Sequence, residues 1–334
     1  MEAETLANRQ WLNDRIGSVR PENTRKSYKG EQTEFINWCS QRAFQDGETV
    51  HADKLMQFLR TVVIDRPSRR GGNIGRPIGI GSVKQYIAAI VDLYNKQRGR
   101  NMNSHPNPRN SDISQLLQAL NREKYHHRRA NYVDRGIGTL LDGVNSTEQW
   151  GKVYDGFMEE GTGVALRNRL AVCLCNNLAL RGELCRRLEL PDLFCIDLKN
   201  EGPQGECKAL VAILGQGKTN QFGKIEFGAA MRNREVRLCL FGALAMWLFW
   251  RFEIEGEPYP DFSESKNWYD AKVICSKHKE YPTKELSYKA HYNALMGALK
   301  KTGVVNKAKT HAGRGVLFVS LSLRDAKKGT CGAS

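Results

Sequence analysis

The chain has 334 residues, long enough for two domains, and 40% of them are apolar, enough for real cores. Its 51 Lys and Arg against 36 Asp and Glu leave a net charge of +15, which argues for a polyanionic partner, nucleic acid before an acidic membrane. The longest apolar run, Leu238 to Trp250, is too short for a membrane span, and Met1-Glu2-Ala3-Glu4 lacks the apolar core of a signal peptide.

Residues 1–20 are polar, with a short helix expected around Leu6 to Ile16. Pro21-Glu22-Asn23-Thr24 reads as a helix start, and Thr24, Tyr28, Phe35, Trp38 and Cys39 recur at near-helical spacing to about Ala43. The same periodicity predicts helices over Ala52–Ile64, from a cap at Ser82 through Val83, Tyr86, Ile87, Ile90, Val91 and Tyr94, and over Ser111–Arg129. No convincing strand precedes residue 190. The opening 130 residues therefore read as an all-helical domain.

Its charge is uneven: between Arg66 and Arg109 lie nine basic residues and one acid, Asp92. Arg66, Arg69, Arg70, Arg76, Lys84, Lys96, Arg98 and Arg100 are candidates for phosphate contacts, which position a duplex and make binding salt-sensitive. The competing reading is a solvated loop that keeps the protein soluble. Residues 122–135 are again basic and read as an interdomain linker, adding Arg128 and Arg129 to the candidates. His126 and His127 are adjacent, so they cannot share a helix face as a zinc-binding pair would.

In the second half, small helices are expected at Ile137–Leu141 and Thr147–Met158, then an apolar helix from Val164 to Leu180 that runs into Arg181. Leu193–Leu198, Ala209–Leu214 and Lys224–Gly228 read as strands joined by turns, a small antiparallel sheet with Lys218 in a hairpin. Val236–Phe252 reads as a long helix, apolar nearly all round and hence central. Residues 256–283 look loop-rich, and Lys284–Lys301 reads as a further helix. The nine cysteines include no CxxC pair, which leaves a structural zinc site without support and suggests reduced, buried thiols in an intracellular protein. No cofactor is expected. Ala212 to Thr219 is one residue from a phosphate-binding P-loop, but a turn and a strand follow it where that motif needs a helix.

An Arg at the end of a buried helix is costly unless an anion meets it. An ordinary ion pair with Glu183 or Asp192 would serve; a phosphate, which guanidinium binds in a planar, bidentate way, is the functional alternative. Arg181, Lys218, His311 and Arg314, in that order, could surround one phosphodiester, two arginines and a histidine neutralising its oxygens and the lysine protonating a leaving hydroxyl. This order resembles the catalytic domain of tyrosine recombinases, and the helical part opening with Thr24-Arg25-Lys26-Ser27-Tyr28 resembles their core-binding domain. Arg181-Gly182-Glu183 leading to Leu188-Glu189-Leu190-Pro191-Asp192-Leu193-Phe194, and Gly217 to Lys224 followed by Arg232-Asn233, look like fungal Crypton-type transposon recombinases and the related centromere-DNA-binding subunit of the budding-yeast kinetochore.

The resemblance implies a mainly α fold: a helical core-binding (SAM-like) domain at 24–130 after an N-terminal extension at 1–23, then an α-rich recombinase-like domain with a small antiparallel sheet at 131–315. An irregular or truncated tail follows at 316–334. It also implies a nuclear protein that binds double-stranded DNA, as a homo-oligomer on DNA, with no membrane partner. The family's nucleophile is a Tyr beyond His-x-x-Arg, whereas the last tyrosine here is Tyr292. The expectation is therefore a DNA-binding relative without strand cleavage. The alternatives are an active site-specific recombinase of a mobile element, its nucleophile missing from this chain, and a protein-interaction scaffold that is basic for solubility alone.

Overall fold

The structure, a computed structural model, describes residues 2–68, 77–130, 146–200, 206–215, 224–277 and 279–304. The chain divides into two units, Met1–Tyr132 and Val133–Ser334.

The described part of the first unit is helical: α1 (Glu2–Val19), α2 (Glu22–Arg42), α3 (Ala52–Phe58), α4 (Ile80–Gly99) and α5 (Ser111–Ala130). α2 starts after Pro21, whose fixed φ suits a helix entry, and ends at Ala43 in the left-handed region (φ 48°). α3 is capped by the His51 ring, which accepts from the Lys54 amide, and runs on into a π-helical turn, Leu59–Val63. On α4 the buried positions Val83, Ile87, Ile90 and Tyr94 form one stripe at helical spacing, and α2 and α1 both pack against this helix. Phe35, Trp38 and Phe58 meet in edge-on and tilted ring contacts at the core, where each large apolar side chain contributes about 1.5–3 kcal/mol. α1 reaches three residues beyond the predicted Leu6–Ile16 at its C-terminus and four at its N-terminus, and Asn13 ties it to α4 by donating to the Asn95 carbonyl at 2.9 Å.

The second unit contains α6 (Thr147–Glu159), α7 (Gly163–Asn177), α8 (Gly182–Arg187), β1 (Leu193–Lys199), β2 (Glu206–Leu214), β3 (Glu226–Met231), α9 (Leu240–Phe249) and α10 (Tyr288–Lys301). Ser146 and Gln149 form a capping box at the start of α6, and the Thr162 hydroxyl caps α7. The sheet is antiparallel in the order β1-β2-β3, with Leu193 opposite Ala212 and Ala209 opposite Met231. One face, with Leu210 and Ala212, joins the core built on α6, α7, α9 and α10. Residues 216–223 of the P-loop-like stretch and its continuation lie outside the described residues, and the next described element, β3, is a strand paired antiparallel with β2.

The helices read over 236–252 and 284–301 also differ from expectation. The long helix read from Val236 to Phe252 is broken: a 3₁₀ turn spans Val236–Leu238, Cys239 is extended, and α9 begins at Leu240. α9 is also not enclosed on all sides, since Leu240, Ala243 and Trp247 are buried while Met246 and Phe249 are exposed. The helix read from Lys284 starts instead at Tyr288, where the Ser287 hydroxyl accepts from the Ala290 amide and sets the cap. Among the described residues no helix is long and apolar enough to cross a membrane.

Candidate functional site

Arg181 sits on the corner between α7 and α8. The sequence places it at the end of one continuous apolar helix; the structure instead ends α7 at Asn177 and turns the chain through Ala179, at φ 52°. Leu180 then plugs into the core, and Arg181 becomes the residue before α8, its carbonyl accepting from the Cys185 amide at 3.0 Å. Arg181 is half-buried. Of the two acids considered as its partners, Glu183 pairs with Arg187 at 3.1 Å, and the Asp192 carboxylate accepts from the Glu189 amide at 2.9 Å.

A second arginine braces this corner. Arg186 is buried, donates to the Gly182 carbonyl at 2.8 Å and lies over the Tyr288 ring of α10, 5.6 Å from its centroid. Its Nε is buried without a partner in the described structure. Below it Cys175 of α7, Cys185 of α8 and His291 of α10 are packed together in the core. Cys185 donates to the Ala171 carbonyl at 3.4 Å. Interaction with the neighbouring Cys185 side chain holds the Cys175 thiol below the ordinary range, against the opposing effect of burial and with help from His291 and Arg186. The Cys185 thiol is pushed up by the same interaction and by burial. Among the described residues no group of three or more His, Cys, Asp and Glu side chains is placed to hold a metal ion. Every described cysteine is a free thiol.

Lys218, His311 and Arg314 lie outside the described residues, as do Arg69, Arg70, Arg76 and the side chain of Arg128. The remaining basic candidates divide by environment. Arg66 is bound to Glu34 at 2.9 Å and to the Tyr86 hydroxyl at 2.6 Å, so its charge is already met within the fold. Burial and the Glu34 carboxylate push the Tyr86 phenol up to about 12. Lys96 pairs with Asp92 at 3.0 Å and is partly exposed, and Arg98 donates to the Ser104 carbonyl at 3.3 Å. Lys84 on α4 and Arg100, the residue that follows its last turn, are exposed. Arg129 is exposed too, on the last turn of α5, and the segment read as a linker is helical as far as Ala130. From Asn121 to Ala130 every described side chain of α5 is exposed, so Arg122, Lys124 and Arg129 project from a helix that has left the core behind.

Sequence reasoning missed the buried arginines Arg167, Arg169, Arg186 and Arg251. A signal existed for two of them: Arg167 and Arg169 interrupt an otherwise apolar helix, and a cation there must find acceptors inside the protein.

The sequence profile of the family described as "centromere DNA-binding protein complex CBF3 subunit, domain 2" matches residues 97–325. No curated protein sequence matches the chain. Among solved structures, the fold is similar to XerH site-specific recombinase bound to difH substrate in a pre-cleavage complex, with a TM-score of 0.52 at 14% identity over 90% of this chain and 68% of that one. A weaker likeness, with a TM-score of 0.40 at 13% identity over 96% of this chain and 74% of that one, is to the FLP recombinase–Holliday junction complex. The architecture is thus mainly α with a small antiparallel sheet, in a tyrosine-recombinase-like fold.

Proposed function

The chain belongs to the family of the centromere DNA-binding protein complex CBF3 subunit, domain 2, and from that premise we propose that it is a nuclear protein that binds double-stranded DNA. The observation that carries the reading is the braced corner at Arg181. Arg181 is a half-buried residue at a turn of the chain, and Arg186 bonds the backbone of Gly182 beside it. That geometry suits a backbone phosphate, which a planar guanidinium can bind in two parallel hydrogen bonds.

Lys218, His311 and Arg314 complete the proposed phosphate site, by the order they share with tyrosine recombinases. Exposed Lys84, Arg100, Arg122, Lys124 and Arg129 add phosphate contacts that carry no sequence information of their own. The proposed complex is a homo-oligomer on DNA. The proposal covers binding and assigns no strand cleavage.

Affinity for duplex DNA across a salt series tests it, wild type beside Arg181→Ala. The expected result is a steep loss of affinity with salt, about tenfold weaker binding by the variant and a salt slope reduced by about one. Weak binding that Arg181→Ala leaves unchanged would reduce +15 to a property of the surface.

A further inference from the structure

The stretch from Phe249 to Asp270 has the opposite character to the rest of the chain. It carries Glu253, Glu255, Glu257, Asp261, Glu264 and Asp270 against Arg251 and Lys266, a net charge of −4 in a protein of +15. It also holds a run of exposed aromatic rings: Phe249, Tyr259 and Phe262 are each about 60% exposed and Tyr269 is 49% exposed. Aromatic side chains are enriched at protein interfaces, and an exposed apolar cluster rimmed by charge is the usual form of a docking site.

The surface is built rather than loose. Phe252 and Tyr259 stack with ring centroids 4.7 Å apart, and the Tyr259 hydroxyl donates to Glu253. Asp261 accepts from the Ser263 amide at 2.9 Å and from the Asn267 side chain at 2.7 Å, closing the turn that presents Phe262. Phe262, Trp268 and Tyr269 then meet edge to face, each successive pair of centroids 5.1 Å apart. At the foot of the loop, buried Arg251 is gripped by both Glu257 oxygens and anchors the chain to the Lys272 carbonyl at 3.0 Å. A surface held this way loses little conformational entropy when a partner arrives.

Charge decides the partner. A duplex is repelled by the carboxylates, whereas a cationic side chain meets both attractions at once: ring faces for its cation and carboxylates for its hydrogen bonds. The loop already shows this recognition on its own residue, for Arg251 lies 5.2 Å from the Phe252 centroid and 5.8 Å from the Trp247 centroid while Glu257 binds its guanidinium. Glu253 and Asp270, both exposed, offer the same carboxylate chemistry beside Tyr259 and Tyr269.

We propose that the aromatic and acidic loop at Phe249–Asp270 is a docking surface for an arginine- and lysine-rich segment of another protein. It is separate from the DNA reading and stands or falls without it.

The test is fluorescence anisotropy with a labelled nine-residue peptide of alternating Arg and Gly, titrated with the full chain in the absence of DNA. Wild type is compared with Phe262→Ala, Tyr269→Ala and the double variant Glu253→Gln with Asp270→Asn. These side chains are exposed, and unchanged melting of each variant confirms folding. The expected result is saturable binding by wild type, weakened about tenfold in each variant, with affinity for duplex DNA unaltered. Peptide binding that is absent, or that the three variants leave unchanged, would overturn the proposal. Self-association of the wild type that the same substitutions abolish and the peptide does not displace would also overturn it, assigning the surface to a second copy of the chain.

Discussion

The two units handle positive charge inside the fold in different ways. In the first, cations close on carboxylates: Lys54 on Asp46 at 2.6 Å, Arg20 and Lys96 on Asp92, and Arg66 on Glu34. In the second, less deeply buried cations such as Lys272 and Arg237 also pair with carboxylates, but the buried arginines close mainly on backbone carbonyls. Arg167 donates to Cys275 and Ser276 and Arg169 to Val236 and Arg237; both make these contacts across at least sixty residues of sequence. Arg186 holds Gly182 in the same way. Among the described residues none of these three has a carboxylate within ion-pair reach, and burial pushes the Arg167 guanidinium below its ordinary value. The contrast separates two jobs. A carboxylate pair ties one side chain to another, while an arginine on carbonyls ties a side chain to the main chain.

Arg251 is the exception in the second unit, since it binds both a carboxylate and a carbonyl, and it should show the largest effect. Arg251→Met leaves Glu257 buried and unpaired, and should destabilise the protein by about 3–5 kcal/mol in urea unfolding. Arg167→Met leaves two carbonyls and the Asn168 side chain short of donors but no orphaned charge, so its cost should be smaller, about 1–3 kcal/mol in the same measurement. Equal costs would erase the distinction between the two kinds of site.

The smallest effect is a pH dependence in the first unit. Burial alone would raise the Asp92 carboxyl, but hydrogen bonds from Arg20, Lys96 and Gln32 outweigh it and hold the group below the ordinary carboxylate value. A depressed folded value gives stability that is present above the unfolded value and lost as pH falls through the folded one. Asp92→Asn should therefore lower stability at neutral pH and flatten its decline from about pH 5 downward, read from melting temperatures across that range. A variant that keeps the wild-type acid limb would show that other carboxylates set it.

Helices with a strong apolar stripe were legible from sequence because burial there follows spacing alone. The stripe of Val83, Ile87, Ile90 and Tyr94 and the rows of β1 and β2 are where the pattern put them. The helix read over Val236–Phe252 was not, since a continuous apolar run contains no mark of the extended residue Cys239 that breaks it. At the candidate site Arg181 stood out as a lone cation after apolar residues. Its brace, Arg186, did not, because Arg186-Arg187 in a charged cluster looks like solvated surface while one of the two points inward. Arg186 also meets the Tyr288 ring, about a hundred positions away, and no local pattern reports such a contact.

Among the described residues each unit contains one π-helical turn at the end of a helix, Leu59–Val63 and Trp250–Ile254. Such a turn is an α-helix that has taken in one extra residue. In register terms it is a phase shift: one residue added to or removed from an α-helix rotates everything beyond it by about 100°. The second turn contains Arg251, so the inserted residue sets the direction in which that guanidinium points. A single-residue deletion within 252–254 would regularise the helix yet swing the following chain away from the Arg251–Glu257 pair. The foundation of the aromatic loop is thus fixed by a count of residues as much as by their identity.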